Sequence, residues 1–175
     1  MSFNTATPYI ASYLLLEKDG HCAFVKRANT GWRDNYYGLP AGKVEQQESF
    51  SAAAVREAFE EVGVLVQPVD LVHVLTSHRF EDDKAWVDVI FKATIWTGEI
   101  YNKEPLMHSE VAWFSLDDLP VNTIPSLRYM LNEIGAGRNY CEYGWDGLTS
   151  EVITEPVVER ITTSSGHPDD HVAGS

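Results

Sequence analysis

The sequence predicts an α/β sandwich, with helices covering a mixed β-sheet, from three observations. Apolar segments rich in β-branched and aromatic residues recur along the chain. Two windows instead carry a helical apolar period with start and stop signals. Those windows fall between the strand-like segments, an order that suits a helix-covered sheet of the α/β or α+β kind.

In order, residues 9–16 are apolar and β-prone, Lys18, Asp19 and Gly20 make a turn, and residues 21–26 resume an apolar run, which together signal a hairpin. Residues 29–37 set Gly31, Asp34 and Asn35 among Trp32, Tyr36 and Tyr37 and read as a loop, followed by a backbone-permissive connection, GLPAG, over 38–42. Ser49 is a natural N-cap for a helix running to Val62 through an alanine run, with Gly63 as its stop. Residues 64–77 and 86–96 read as strands, the second alternating Val87, Val89 and Phe91 against Asp88, Ile90 and Lys92. A shorter strand at 110–115 precedes a second helix over 125–134 that ends at Gly135.

With 175 residues, 44% hydrophobic and 22% charged, the chain has the composition of a globular domain able to bury a core, and one domain over 1–148 is expected. Residues 149–175 differ: they contain no Phe, Trp or Tyr and carry five acids against one base. Such a stretch buries too little apolar surface to offset its ordering entropy, so an acidic, disordered tail is expected. Its docking candidates are Val152-Ile153 and Val157-Val158.

The formal charge of -13, from 26 acids and 13 bases, disfavours stable binding to nucleic acid or to an anionic membrane. A polyanionic substrate then needs a local reason to bind, either a divalent cation held by carboxylates or a few well-placed Arg and Lys residues. No apolar run approaches the roughly 18 residues of a membrane span. The first ten residues carry neither a basic n-region nor an apolar h-region, so a cytoplasmic protein is expected. Cys22 and Cys141 lie far apart without metal-ligand spacing and are expected to be reduced packing residues.

The chemistry concentrates in residues 42–64, GKVEQQESFSAAAVREAFEEVGV. On a helix turning about 100° per residue, Glu57 at 0° puts Glu61 near about +40° and Glu60 near about -60°, while Val55, Phe59 and Val62 fall at about 140° to 200°. The apolar trio is expected to pack on the sheet. The three carboxylates would then project away as a group, with Ala53 and Ala54 leaving room for a ligand to approach. Like charges at i,i+4 repel by a few tenths of a kcal/mol, and the helix dipole disfavours acids at this end, so stability alone would not select the arrangement. A hard cation such as Mg²⁺ or Mn²⁺ removes the conflict and keeps positions for water and phosphate oxygens. Arg56 is the single base in the cluster and can pair with Glu60 at i,i+4. A Glu-rich face is also common on solvated helices, so the acids alone do not decide.

The whole pattern says more. Gly42, then Glu48 after five residues, then Arg56-Glu57-Ala58-Phe59-Glu60-Glu61-Val62-Gly63-Val64 after seven more, resembles the signature of the Nudix hydrolase family at every position. Ala58 stands where a larger aliphatic is more usual. Chance agreement at seven specified residues is on the order of one in 10⁸. Downstream, residues 98–104 (GEIYNKE) and 113–120 (WFSLDDLP) resemble the MutT-type branch, where a further carboxylate approaches the metals before the last helix. Glu104 matches that carboxylate, with Glu110 the competitor.

The resemblance implies an α/β/α sandwich around a mixed sheet and Mg²⁺-dependent cleavage, with Mn²⁺ as a substitute, of a nucleoside diphosphate linked to another group. A (d)NTP or oxidised (d)NTP giving the monophosphate and pyrophosphate is the first expectation. ADP-ribose or another nucleoside diphosphate derivative is the alternative, and a non-catalytic nucleotide-binding module is a third. By transfer, Gly42, Glu57, Glu60 and Glu61 hold metal, Gly42 through its carbonyl. Glu57 or Glu104 is the general base, and Arg56 and Glu48 complete the catalytic set. Glu48 stands nine residues before Glu57, so it acts from the loop or the helix start. Arg27 is the expected phosphate contact, ahead of Lys26 and Arg33. Trp32, Tyr36 and Tyr37 are candidates to stack on a nucleobase, and Asn122 to pair with its edge. His78-Arg79 suits either a phosphate or a strand end, and His73 and His108 are expected to be structural or surface residues. An all-oxygen ligand set is expected to make Zn²⁺ a poor substitute.

Removing residues 149–175 is expected to leave Tm and turnover almost unchanged, because the segment has no aromatic anchor. A large fall in Tm on truncation would show that its Val-Ile pairs dock.

Overall fold

Strands β1 (Tyr9–Lys18) and β2 (His21–Arg27) form the expected hairpin in a computed structural model that describes residues 7–146. Asp19 and Gly20 turn it, both at positive φ (52° and 74°), which matches the right-handed twist of the flanking strands. The tail expected at 149–175 lies outside the described residues. The chain continues through β3 (Tyr37–Gly38), β4 (Ala41–Lys43), helix α1 (Phe50–Val62), β5 (Val72–Glu81), β6 (Lys84–Ala93), β7 (His108–Phe114), helix α2 (Pro125–Gly135) and β8 (Tyr140–Tyr143).

The sheet runs β3-β2-β1-β6-β5-β8, with β4 also on β1 and β7 also on β2. It is mixed: β1 is parallel to β6 and β5 to β8, and the other pairs are antiparallel. Alternate side chains of the central strands feed two cores. Leu15, Phe24 and Ile90 join Leu127, Met130 and Leu131 of α2, whereas Leu14, Leu16 and Ala23 join Ala54, Ala58 and Val62 of α1. Helices therefore cover both faces, the α/β/α arrangement, and strands buried on both sides read as continuous apolar runs. For the same reason the two rows of β6 are not one buried and one exposed: Asp88 and Ile90 are as deeply buried as Val89.

Several elements differ from expectation. Residues 64–77 do not form one strand: Leu65 bridges Thr97, Pro68–Asp70 make a 3₁₀ turn, and β5 begins at Val72. Pro68 has no N–H to give a ladder, which breaks the run. Strand β6 starts earlier than expected because Asp82 and Asp83, at positive φ, turn a second two-residue hairpin. The connection over 38–42 is built from β3 and β4, and neither Gly38 nor Gly42 has positive φ. Helix α2 includes Gly135, and β8 is an additional strand at the sheet edge.

The helix α1 has the expected caps. The Ser49 hydroxyl accepts from the Ala52 N–H at 3.2 Å, and Gly63 is left-handed. Of its expected apolar trio, Val62 lies in the core and Val55 packs against it, and Phe59 is the correction. The buried face consists of Ala53, Ala54, Ala58, Glu61 and Val62, while Phe59 is 43% exposed. Ala53 and Ala54 thus meet the sheet rather than a ligand. Alanines let the helix backbone approach the strands closely, which turns the acidic edge of α1 inward and leaves the bulkier Phe59 outside.

A buried ion pair joins β5 to β6. The Arg79 guanidinium donates to Asp88 through Nε at 2.7 Å and Nη2 at 3.1 Å, and to Glu81 through Nη1 at 2.7 Å. Arg79 is therefore engaged inside the sheet layer, and His78 packs against Trp145 with ring centroids 4.3 Å apart and planes tilted by 41°. Asp88→Asn is expected to lower stability by about 3 kcal/mol, since one partner of a buried, hydrogen-bonded pair is neutralised. Urea denaturation measures this, and a wild-type midpoint would show that Glu81 alone satisfies the guanidinium.

Candidate active site

The carboxylates of α1 are placed by contact with β4. A methyl group at Gly42 would lie 1.8 Å from Glu57 Oε1 and displace that carboxylate, so glycine is favoured here by close approach rather than by φ. One turn on, Glu61 Oε2 accepts the Ala41 N–H at 3.2 Å, and Glu61 is only 7% exposed. Burial, reinforced by Glu57 and Glu104, pushes the Glu61 carboxyl well above the ordinary range. Burial also raises Glu57, against the lowering effect of Arg56.

Arg56 clamps the outer side. Its Nε and Nη2 donate to both oxygens of Glu48 at 2.8 and 3.0 Å, and Nη1 donates to Glu57 Oε1 at 2.7 Å and Glu60 Oε2 at 3.2 Å. Nη2 also reaches the Lys43 carbonyl at 3.1 Å, tying the helix to β4. Glu48 stands in the loop before the N-cap, as its spacing requires, and the Arg56 guanidinium holds its carboxyl below the usual range. Glu60 points outward at 46% side-chain exposure.

Segment 101–108 closes the other side. The Tyr101 and Lys103 N–H groups donate to the Val62 and Glu61 carbonyls at 3.2 and 3.0 Å, and Lys103 Nζ donates to Phe59 O at 2.9 Å. These bonds satisfy carbonyls that the end of a helix leaves open, and the ammonium suits the negative end of the dipole. Lys103 Nζ also lies 3.2 Å from the Phe59 ring centre, which accounts for an aromatic residue outside the core. The Glu104 carbonyl then accepts the Met107 and His108 N–H groups at 3.0 and 2.9 Å, a turn that sets Glu104 and His108 side by side.

Donor atoms of Glu61, Glu104 and His108 all lie within 4.8 Å of one another. Glu110 instead accepts from the Tyr37 hydroxyl at 2.9 Å and sits 3.8 Å from Lys26 Nζ, outside this group. Of the two roles expected for His108, structural or surface, burial excludes the surface one: it is 2% exposed, with Nε2 3.7 Å from Glu61 Oε1. Burial, with Arg27 nearby, lowers its imidazole to about 4. Its position four residues after Glu104 was visible in the sequence, but no fixed motif gave that spacing meaning. His73 is exposed on β5.

The cluster borders a cavity of about 430 Å³, whose walls include Arg27, Trp32, Gly42, Glu61, Arg79 and Trp86. Arg27 Nε donates to the Trp32 carbonyl at 2.9 Å, and its guanidinium lies 5.1 Å from the Trp32 ring centre. Arg33 is paired with Glu81, and Tyr36 and Tyr37 pack against the α2-side core. Asn122 lies outside the cavity wall and donates Nδ2 to the Asn35 carbonyl at 2.6 Å. Cys22 and Cys141 are buried free thiols, and burial pushes Cys22 up to about 12. Among the described residues, no helix is long and apolar enough to cross a membrane.

A family model described as the NUDIX domain matches residues 7–133. An ADP-ribose pyrophosphatase of Methanocaldococcus jannaschii is 28% identical over 113 residues, covering 65% of this chain and 65% of its own length. An 8-oxo-dGTP diphosphatase of Buchnera aphidicola is 31% identical over 88 residues, covering 50% of this chain and 62% of its own. The chain spans between 31% and 65% of the lengths of the curated relatives it matches. The crystal structure of a MutT NUDIX hydrolase from Burkholderia pseudomallei superposes with a TM-score of 0.66 at 27% identity, over 72% of this chain and 97% of that one. With the motif, the sandwich and the matched span in agreement, the chain belongs to the NUDIX domain family, among its MutT-like members.

Proposed function

We propose that this chain is a divalent-cation-dependent pyrophosphohydrolase that cleaves a nucleoside diphosphate linked to another group. A (d)NTP or oxidised (d)NTP is the first substrate class, released as the monophosphate and pyrophosphate. One observation carries the reading: the buried Glu61 carboxylate, with Glu57 and Glu104 near enough to raise it further, borders a cavity of about 430 Å³ that also presents Arg27. That volume lies in the ordinary range for small-molecule sites, about 300–1,000 Å³.

The donors fit a hard cation. Donor atoms of Glu61 and Glu104 lie within 4.8 Å of each other, Glu57 lies one turn before Glu61 against Gly42, and Glu61 has a backbone N–H rather than a base as its hydrogen-bond donor. Mg²⁺ is the proposed ion, with Mn²⁺ as a substitute and Glu60 as an outer contributor. A cation bound there supplies charge neutralisation for the diphosphate and a lowered pKa for the attacking water.

The chain's own residues do the rest. Glu57 or Glu104 takes the proton of the water whose oxygen bonds to phosphorus, while the bond from phosphorus to the leaving phosphate oxygen breaks. Arg56 fixes Glu48, Glu57 and Glu60 in place. Arg27 meets phosphate oxygens and Trp32 offers its ring to the base, while Asn122, outside the cavity wall, reaches a base edge only where the base extends beyond that wall. The charge of -13 supports a free nucleotide over a nucleic acid as substrate, and two buried free thiols suit the reducing cytoplasm. The Methanocaldococcus jannaschii relative favours ADP-ribose as the second reading. Assaying a nucleotide panel with Mg²⁺ and with Mn²⁺, and identifying products by mass, separates the two. Turnover surviving exhaustive chelation would overturn the cation requirement.

Glu57→Gln and Glu61→Gln are each expected to lower kcat by at least about 10²-fold while Tm without metal holds or rises slightly. The amide keeps the shape and relieves like-charge repulsion, so undiminished hydrolysis in both variants would refute the assignment.

Gly42→Ala is expected to lose turnover to a similar extent with its far-UV circular dichroism unchanged, because the new methyl displaces Glu57 rather than straining the backbone. Activity within about twofold of wild type would show that Glu57 can leave β4 without consequence.

A further inference from the structure

We propose that His108 is a cation ligand in this chain, its Nε2 joining Glu61 and Glu104 in a mixed nitrogen–oxygen site that binds Mn²⁺, Co²⁺ or Zn²⁺ more tightly than an all-oxygen site would. The inference rests on the reading above that Glu61 and Glu104 hold a divalent cation, and it names an additional donor and its effect on ion preference.

A packing histidine inside a protein ordinarily has both ring nitrogens hydrogen-bonded. Among the described residues, Nδ1 of His108 is buried without a partner, although the residue is only 2% exposed. Its Nε2 lies 3.7 Å from Glu61 Oε1, too long for a hydrogen bond. Neither ring nitrogen therefore has a hydrogen-bond partner among the described residues, and it is Nε2, not the orphaned Nδ1, that faces Glu61. Donor atoms of Glu61, Glu104 and His108 sit within 4.8 Å of one another. Donors about 2.1 Å from a common ion lie at most about 4.2 Å apart, so closing the set takes a shift of under about 1 Å.

The position is held from several sides. The turn from Glu104 sets the two side chains together, and the Asn102 amide donates to the His108 carbonyl at 2.7 Å. The Lys103 N–H is tied to the Glu61 carbonyl itself at 3.0 Å, so the segment carrying Glu104 and His108 moves with the helix end. An imidazole nitrogen raises affinity for borderline first-row ions, whereas Mg²⁺ prefers an all-oxygen set. The expectation that Zn²⁺ would be a poor substitute assumed such a set.

The test uses metal-free full-length protein. Mn²⁺-loaded wild type is examined by pulsed electron paramagnetic resonance, where ¹⁴N modulation from a bound imidazole is expected and its absence would overturn the proposal. Co²⁺ titration followed by visible absorption should show His108→Asn losing at least about tenfold in affinity, with an altered band, while Mg²⁺ affinity by calorimetry changes by less than about threefold. His108→Gln serves if the Asn variant melts early. Unchanged Co²⁺ affinity and spectrum in a folded variant, with binding lost in Glu61→Gln, would identify an all-carboxylate site and refute the role of His108. These readouts need no nucleotide, so absence of hydrolysis with any cation would count against the proposed function alone.

Discussion

Helix α1 lies so near β4 that a methyl group at Gly42 would sit 1.8 Å from a Glu57 oxygen, and most of the site follows from that approach. Small residues set the distance. Ala53, Ala54 and Ala58 are fully buried beneath α1, so the helix backbone rests on the sheet without long side chains as spacers. At that separation, side chains at the edge of the contact can only lie along the strand. Glu57 does so against Gly42, and Glu61 does so beneath the Ala41 N–H. Larger residues at Ala53 and Ala54 would lift the helix and let both carboxylates hydrate. The packing that makes the fold is thus the packing that desolvates the acids.

Desolvating carboxylates is costly, and the chain offsets the cost on one side only. Outside, Arg56 gathers Glu48, Glu57 and Glu60 into one hydrogen-bonded group and anchors it to the Lys43 carbonyl. Inside, Glu61 receives a backbone N–H, with Arg27 acting on it from a distance. Arg79, the other arginine of the cavity wall, is already bound to Asp88 and Glu81. A site left short of positive charge within a carefully neutralised surround is what a cation-dependent reaction requires, at the expense of stability in the metal-free state.

How much of this was legible in the sequence depended on how local each cause was. The caps of α1, the Asp19-Gly20 hairpin and the spacing of Gly42, Glu48 and the Arg56–Glu61 group act over a few residues, and all could be read directly. The facing of α1 was legible only in part: Val55 and Val62 meet the core as read, but a hydrophobic period ranks side chains by polarity, while the fold took small alanines for contact in place of Phe59. Phe59 was misassigned to the core for that reason, and Lys103, which covers it, lies 44 positions away. The Asp82-Asp83 turn was missed because two acids at positive φ carry a weaker signal than a glycine. Strand β8 stayed hidden because its four residues owe their conformation to pairing with β5.

The same distinction explains why the acids of α1 obey a spaced motif while the donors on segment 101–108 do not. Helix acids are positioned by their own side-chain neighbours, Gly42 and Arg56, so a change at any of these displaces the others. Segment 101–108 is positioned by its backbone: the Tyr101 and Lys103 N–H groups on helix carbonyls, and the Met107 and His108 N–H groups on the Glu104 carbonyl. Backbone bonds of this kind tolerate most side chains, which leaves the donors at 104 and 108 free to differ without loss of the fold. A site built in this way keeps its helix half fixed and leaves segment 101–108 to set the chemistry of the other half. In this chain that variable half supplies one carboxylate and, by the inference above, one imidazole.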